Sequence, residues 1–387
     1  VKLLGYIDSH RYSLGIKEMP LIGNECFLLL EDEFQLIHSF SKDKEKTIKI
    51  GYLLMNDEQE IRLGINELFS SHIGIFGNTG SGKSYTLAKL YHQLFEFGVQ
   101  RELFSNNAKF LLFDFNGEYS SKKTITEDKG VYKLSTRSRG GNRIPLSKAD
   151  LLKPELISIL SNATEKTQQP FIKRALKLYN NVLDADNPAN PANYLRSIIK
   201  NLLVQSLKFE DPLKGNNLVK NIEQILCYGY EDEEKREAVT NFFDNLGFHS
   251  RHHCYYIGND YFNNCETVKL VEELTLYSDI DEYVLSKNVI SSILTFMLIQ
   301  LCKDIISNRV VNEHIAPCIN KLRGHQDGFE KIFEVKEEES KLFESRNLIV
   351  IDMNGISTDM KKLVPLILSQ KLYNEQKLRH KENKHSS

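Results

Sequence analysis

The stretch 72-HIGIFGNTGSGKSYTLAKLY-91 decides the fold. A short apolar run, residues 73–76, enters a turn with glycines at 77, 80 and 82, and a helical pattern follows. Buried strand, glycine turn and helix are the context in which G-x-x-x-x-G-K-[ST] grips phosphate, and residues 77–84 match that pattern. The glycines let successive backbone N–H groups point inward at phosphate oxygens. A helix beginning near Gly82 adds the positive end of its dipole. Lys83 is placed to reach the β- and γ-phosphates as a point charge, and the Ser84 hydroxyl to ligate Mg²⁺. The expected nucleotide-binding set is Asn78, Thr79, Gly80, Ser81, Gly82, Lys83, Ser84 and Tyr85, with ATP and Mg²⁺ as cofactors. A glycine turn that merely caps a helix gives no reason for Lys83-Ser84.

Outward from this loop, residues 82–98 place Leu87, Leu90, Tyr91 and Leu94 on one helical stripe, with Gly98 as its stop. Then 109-KFLLFDFNGEY-119 supplies a second buried strand, which makes a parallel βαβ unit and an α/β core. Its apolar run and Asp-x-Asn-Gly ending return in 347-NLIVIDMNG-355. A Mg²⁺–nucleotide site needs a carboxylate at the end of a neighbouring strand. Asp114 and Asp352 both have that placement, and either could instead cap the turn after its strand. The expected catalytic set is Lys83, Asp114 and Glu118, and the expected metal ligands are Ser84 and Asp114.

Before this core, residues 1–68 alternate short apolar runs such as 26-CFLLL-30 and 48-IKIGYLLM-55 with turn signals, which predicts a small β-barrel or sandwich with 42-KDKEK-46 at a hairpin tip. After it, residues 150 to about 310 show helical spacing in 151–160, 169–183, 192–207 and 286–306, too long for a loop. They predict a helical insertion, followed by an acidic, exposed stretch at 324–344. The expected division is a barrel at 1–68, the first part of the nucleotide-binding α/β core at 69–149, the insertion at 150–345 and the second part of the core at 346–387. In 136-TRSRGGNR-143, three arginines flank a Gly-Gly hinge, as in a DNA-contacting or inter-subunit loop or an ordinary surface loop.

Composition sets the outer limits. The 387 residues are 41% hydrophobic and 26% charged, an ordinary globular balance. A formal net charge of −2 gives no global basic field, which leaves room for local basic loops facing a central pore. Six cysteines without a C-x-x-C pair, and no signal peptide, suggest reduced thiols and a cytoplasmic location. His252-His253-Cys254 with Cys265 matches no zinc spacing. No run reaches the roughly 18 apolar residues of a membrane span. The nearest, 289-VISSILTFMLIQLC-302, predicts a buried or amphipathic helix.

Gly-Asn-Thr-Gly-Ser-Gly-Lys-Ser, followed some thirty residues later by Asp-Phe-Asn-Gly-Glu-Tyr, resembles the HerA family of DNA translocases, within the HerA/FtsK group of RecA-like ATPases. The segment 164-TEKTQQPFIKRAL-176 and the late strand 348-LIVIDMNG-355 are similar to that family too. The resemblance implies a barrel ahead of a RecA-like core, a helical insertion and a homo-hexameric ring that moves DNA. It also implies a partner enzyme: a nuclease in DNA-end processing, or, in bacterial antiviral defence systems, a nuclease or an NAD-consuming sirtuin-type effector. A different reading is a nucleotide-binding scaffold that regulates such a partner. A small-molecule kinase would need a compact Arg-rich lid, which a mostly helical insertion supplies poorly.

The sequence departs from the family in two ways. Ser71-His72 stands where relatives often have Arg-His. The acidic pair that activates water, and the arginine finger, are not found after Asp352. The expectation is therefore that the core continues beyond this chain, which also begins at Val1 rather than Met.

Overall fold

The computed structural model describes residues 2–38, 46–53, 56–100, 108–137, 140–183, 190–262, 267–338, 342–343 and 346–385. In chain order the elements begin with β1 (Gly5–Asp8), β2 (Arg11–Leu14), α1 (Glu31–His38), β3 (Thr47–Leu53), β4 (Asn56–Gly64), α2 (Ile65–Phe69), α3 (Lys83–Gln100), β5 (Phe110–Asp114) and β6 (Gly130–Ser135). Next come β7 (Ile144–Ser147), α4 (Lys148–Leu151), α5 (Pro154–Ser161), α6 (Gln168–Leu183), α7 (Pro191–Leu207), α8 (Pro212–Gly229) and α9 (Glu233–Asp244). The chain continues through β8 (Gly247–His249), β9 (Cys254–Ile257), β10 (Asp260–Tyr261), α10 (Thr267–Glu272), α11 (Thr275–Asp279) and α12 (Val289–Ile306). It ends with α13 (Asn312–Ile332), β11 (Phe333–Lys336), β12 (Leu348–Gly355) and α14 (Thr358–His385).

Two compact units result, residues 1–133 with 343–354, and residues 134–342 with 355–387. In the first, the sheet order is β5-β12-β6, so the last strand in sequence lies between two early ones. β12 runs parallel to β5 with Leu348 opposite Phe110 and Asp352 opposite Asp114. The two sequence echoes are therefore adjacent strands, side by side and in register. Such apolar runs suit strands covered on a face by a helix. Phe95, Tyr119, Ile125, Leu348 and Val350 form the buried cluster, with Leu87, Tyr91, Phe110 and Leu112 packed against it. Rings of Phe95 and Phe110 lie 5.1 Å apart. These contacts fix α3, and with it the glycine loop, on the strands.

The second unit is built on α12. Fifteen of its residues are buried, its polar ones Ser291, Ser292, Thr295, Gln300 and Asp304 included. It is long and apolar enough to cross a membrane by length and composition, but α6, α7, α8 and α13 pack around it. Asp304, 1% exposed, is held there by Arg174 at 2.8 Å and by the Gln300 amide at 2.9 Å. Helix starts follow local chemistry. Asn190, Asp211, Asp232 and Asn288 each cap a helix through the side chain, and proline follows the first two at N1.

Three expectations are corrected. First, among the described residues the N-terminal strands form two separate antiparallel hairpins, β1-β2 and β3-β4, rather than a closed barrel. The run 26-CFLLL-30 joins no ladder, because it leads into α1, where the Glu33 carboxylate accepts the Leu30 N–H at 3.0 Å as a helix-start contact. Of the supposed hairpin tip, 42–45 lies outside the described residues. Second, residues 73–76 are not a buried strand; they are unpaired, and Phe76 is 94% exposed. A strand exists through its neighbours' hydrogen bonds, and no described strand offers them here. Third, the acidic stretch 324–344 is not uniformly exposed. Phe329, Ile332 and Phe333 are buried within it, and β11 pairs in parallel with β7. Average charge concealed an apolar set at helical spacing.

Candidate functional site

The glycine loop has the backbone its sequence requires. Gly80 and Gly82 sit at φ +82° and +87°, where a side chain would be strained. Ser81 N–H closes the turn on Asn78 O at 3.1 Å, and Thr86 N–H bonds Gly82 O at 2.8 Å as α3 begins. The Lys83 ammonium donates to Asn78 O at 2.7 Å and has no carboxylate partner among the described residues. A cation folded over a loop of glycines at a helix start suits a polyphosphate. Ser84 is half-buried and Tyr85 is exposed.

The Asp-Phe-Asn-Gly-Glu-Tyr turn is organised from both ends. Asp114 is 1% exposed, and its carboxylate accepts the N–H groups of Gly117 (2.8 Å), Glu118 (3.0 Å) and Tyr119 (2.7 Å). In this arrangement it holds the turn, as a capping Asp does. Lys129, 6% exposed, does the converse. Its ammonium donates to the carbonyls of Tyr119 (2.7 Å), Ser121 (2.7 Å) and Thr124 (2.5 Å). Burial pushes the Lys129 pKa down, and the charge of Asp114 opposes that. Sequence reasoning missed Lys129, since a lone lysine before a strand carries no motif.

The carboxylates facing outward are others. Glu118 is exposed, with the Asn116 amide 3.3 Å from Oε1. Asp352 is half-buried, accepts the Ser120 hydroxyl at 2.7 Å and the Asn354 N–H at 3.1 Å, and stands level with Asp114 at the strand end. The turn touches the phosphate-loop helix through Tyr119, whose hydroxyl donates to Ser84 O at 3.5 Å. His92 of α3 contacts Ile125 O through Nδ1 at 2.7 Å. The structure thus joins Ser84 to the Asp114–Tyr119 turn through Tyr119, and that turn to Asp352 through Ser120. Of the 136–143 arginines, Arg143 reaches Glu330 O at 3.4 Å and Glu334 at 3.9 Å, Arg137 is exposed, and Arg139 lies outside the described residues.

Comparison with known proteins identifies the family. The model of the family described as Helicase HerA, central domain, matches residues 48–372. A DNA double-strand break repair helicase HerA of Sulfurisphaera tokodaii is 30% identical over 234 residues, 60% of this chain and 41% of that protein. A probable helicase of Methanocaldococcus jannaschii is 30% identical over 155 residues, 40% of this chain and 27% of that one. A second repair helicase HerA, of Saccharolobus solfataricus, is 38% identical over 119 residues, 31% and 20% respectively. The matched part of the chain spans less than half the length of each of these relatives.

Proposed function

Because the chain belongs to the family of the HerA helicase central domain, we propose that it is an ATP-driven motor acting on DNA, a translocase or helicase that works as a homo-hexameric ring with a partner effector enzyme. The observation that carries this is the pairing of the glycine loop at the start of α3 with two parallel strands whose register sets Asp352 of β12 opposite Asp114 at the end of β5. The residues suit a Mg²⁺–ATP complex. Glycine N–H groups and the Lys83 ammonium would take the phosphates, and the Ser84 hydroxyl the metal. Bound ATP supplies the phosphoanhydride bond that water cleaves.

In this proposal Lys83 gathers negative charge as the γ-phosphoryl group departs. Asp114 acts by holding the turn that carries Glu118, while Glu118 and Asp352 provide the outward acidic groups. The Ser120–Asp352 contact orients the Asp352 carboxylate. Lys83→Ala should abolish ATP turnover in a phosphate-release assay, with the melting temperature unchanged. Turnover at the parental rate would overturn the assignment.

A further inference from the structure

The small β8–β9–β10 sheet has two unlike faces. Its register sets Phe248 opposite Tyr255, Gly247 opposite Tyr256, and Tyr261 opposite Tyr256. Paired residues share a face and neighbours alternate. Phe248 and Tyr255 therefore look one way, and His249, Tyr256 and Tyr261 the other. The first face is the inner one: Tyr255 is buried, and its hydroxyl donates to Asn216 of α8 at 2.9 Å.

The outer face carries rings where a solvated sheet face normally carries aliphatic polar residues. Tyr256 and Tyr261 stack with centroids 5.4 Å apart and planes at 23°. His249 and His252 stack at 4.5 Å and 28°. Tyr261 meets His249 and His252 edge-on at 5.6 and 6.0 Å. Gly247 makes the arrangement possible, because a Cβ there would lie 2.5 Å from Tyr256 Cζ. The His252 N–H donates to His249 Nδ1 at 3.2 Å, which fixes the turn that presents both imidazoles. His252 and Arg251 are exposed in that turn, as is Tyr261 at its sheet edge.

We propose that this outer face is a stacking platform for the bases of single-stranded nucleic acid. Flat rings with polar edges offer π-faces to bases, and Arg251 offers a cation to the phosphates between them. The charge fits. Between residues 247 and 262 the only acid is Asp260, and its register partner, Ile257, places both on the opposite face. The platform rests on the reading that the chain acts on DNA, and it adds a sequence-tolerant grip on unpaired strands.

The test uses the full chain and fluorescence anisotropy with two labelled oligomers of equal length, an oligothymidylate and an all-abasic strand. The double variant His252→Ala/Tyr261→Ala should weaken oligothymidylate binding roughly tenfold or more, leave abasic binding unchanged, and melt at the parental temperature. Tyr261→Phe should keep the affinity. Arg251→Ala, which leaves every ring in place, should weaken both oligomers alike. Parental affinity in the double variant, or an equal loss on both oligomers, overturns the platform. So does a parental protein that binds neither oligomer. Stimulation of ATP turnover by blunt duplex DNA, measured separately, decides whether the motor reading falls with it.

Discussion

Lys129 and Asp114 form a reciprocal clasp, an ammonium bound to three carbonyls and a carboxylate bound to three N–H groups of one turn. Removing the cation leaves three carbonyls without their donor, and a buried unsatisfied polar group costs on the order of 1 kcal/mol or more. Lys129→Met should therefore destabilise the protein by about 3 kcal/mol in urea melts, and should raise amide exchange at residues 115–128 beyond that in the rest of the first unit. Uniform exchange would place the effect elsewhere. The Asp-x-Asn-Gly motif was legible in the sequence because it is contiguous. Its carboxylate was expected at the metal, yet it faces the backbone of its own turn. Orientation depends on Gly117, Glu118 and Tyr119 folding back, and a pattern of letters does not encode that. Lys129 escaped notice because three carbonyls have no side-chain signature at all.

At the scale of elements, the clearest joint is between α4 and α14. Lys371, 3% exposed, bonds Asp150 at 2.7 Å and Glu375 at 3.1 Å, while Lys153 and Ser147 complete the shell around Asp150. Burial alone would raise the Asp150 pKa. The hydrogen bonds from Lys153, Lys371 and Ser147 outweigh it and bring it to about 2, against an ordinary 3.8. A carboxylate depressed on folding stabilises fully above its unfolded value, and that stabilisation is lost as pH falls through the folded one. Between pH 3.8 and about 2 the native protein should lose this contribution. Asp150→Asn should lower stability by about 3 kcal/mol at neutral pH, the usual loss when one partner of a buried pair is removed, and flatten that part of the acid melting curve.

Element identity was legible where a period repeated over several turns, as in α3, α6, α7 and α12. It was lost where pairing decides: residues 73–76 have strand composition but no ladder, whereas Phe333 lies in a strand despite its acidic setting.

For the whole molecule, the α/β class and the glycine loop were legible because both rest on local spacing. The separate N-terminal hairpins were not, since barrel closure depends on partners far apart in sequence. The proposed ring has a mass signature. In velocity sedimentation, the protein with a non-hydrolysable ATP analogue should run at six times the chain mass, and Lys83→Ala should shift that assembly to higher nucleotide concentrations. A monomer under every condition would remove the ring from the proposal.

The place of β12 between β5 and β6 also sets a timetable for synthesis. The ribosome delivers β12 about 210 residues after β6, a delay of roughly 10–40 s at ordinary elongation rates. Throughout that interval β5 and β6 have emerged without the strand that joins them, and their apolar edges are open to chaperones or to wrong pairing. Translation stalled before residue 348 should therefore yield nascent chains that a holdase captures, and release past residue 355 should free them.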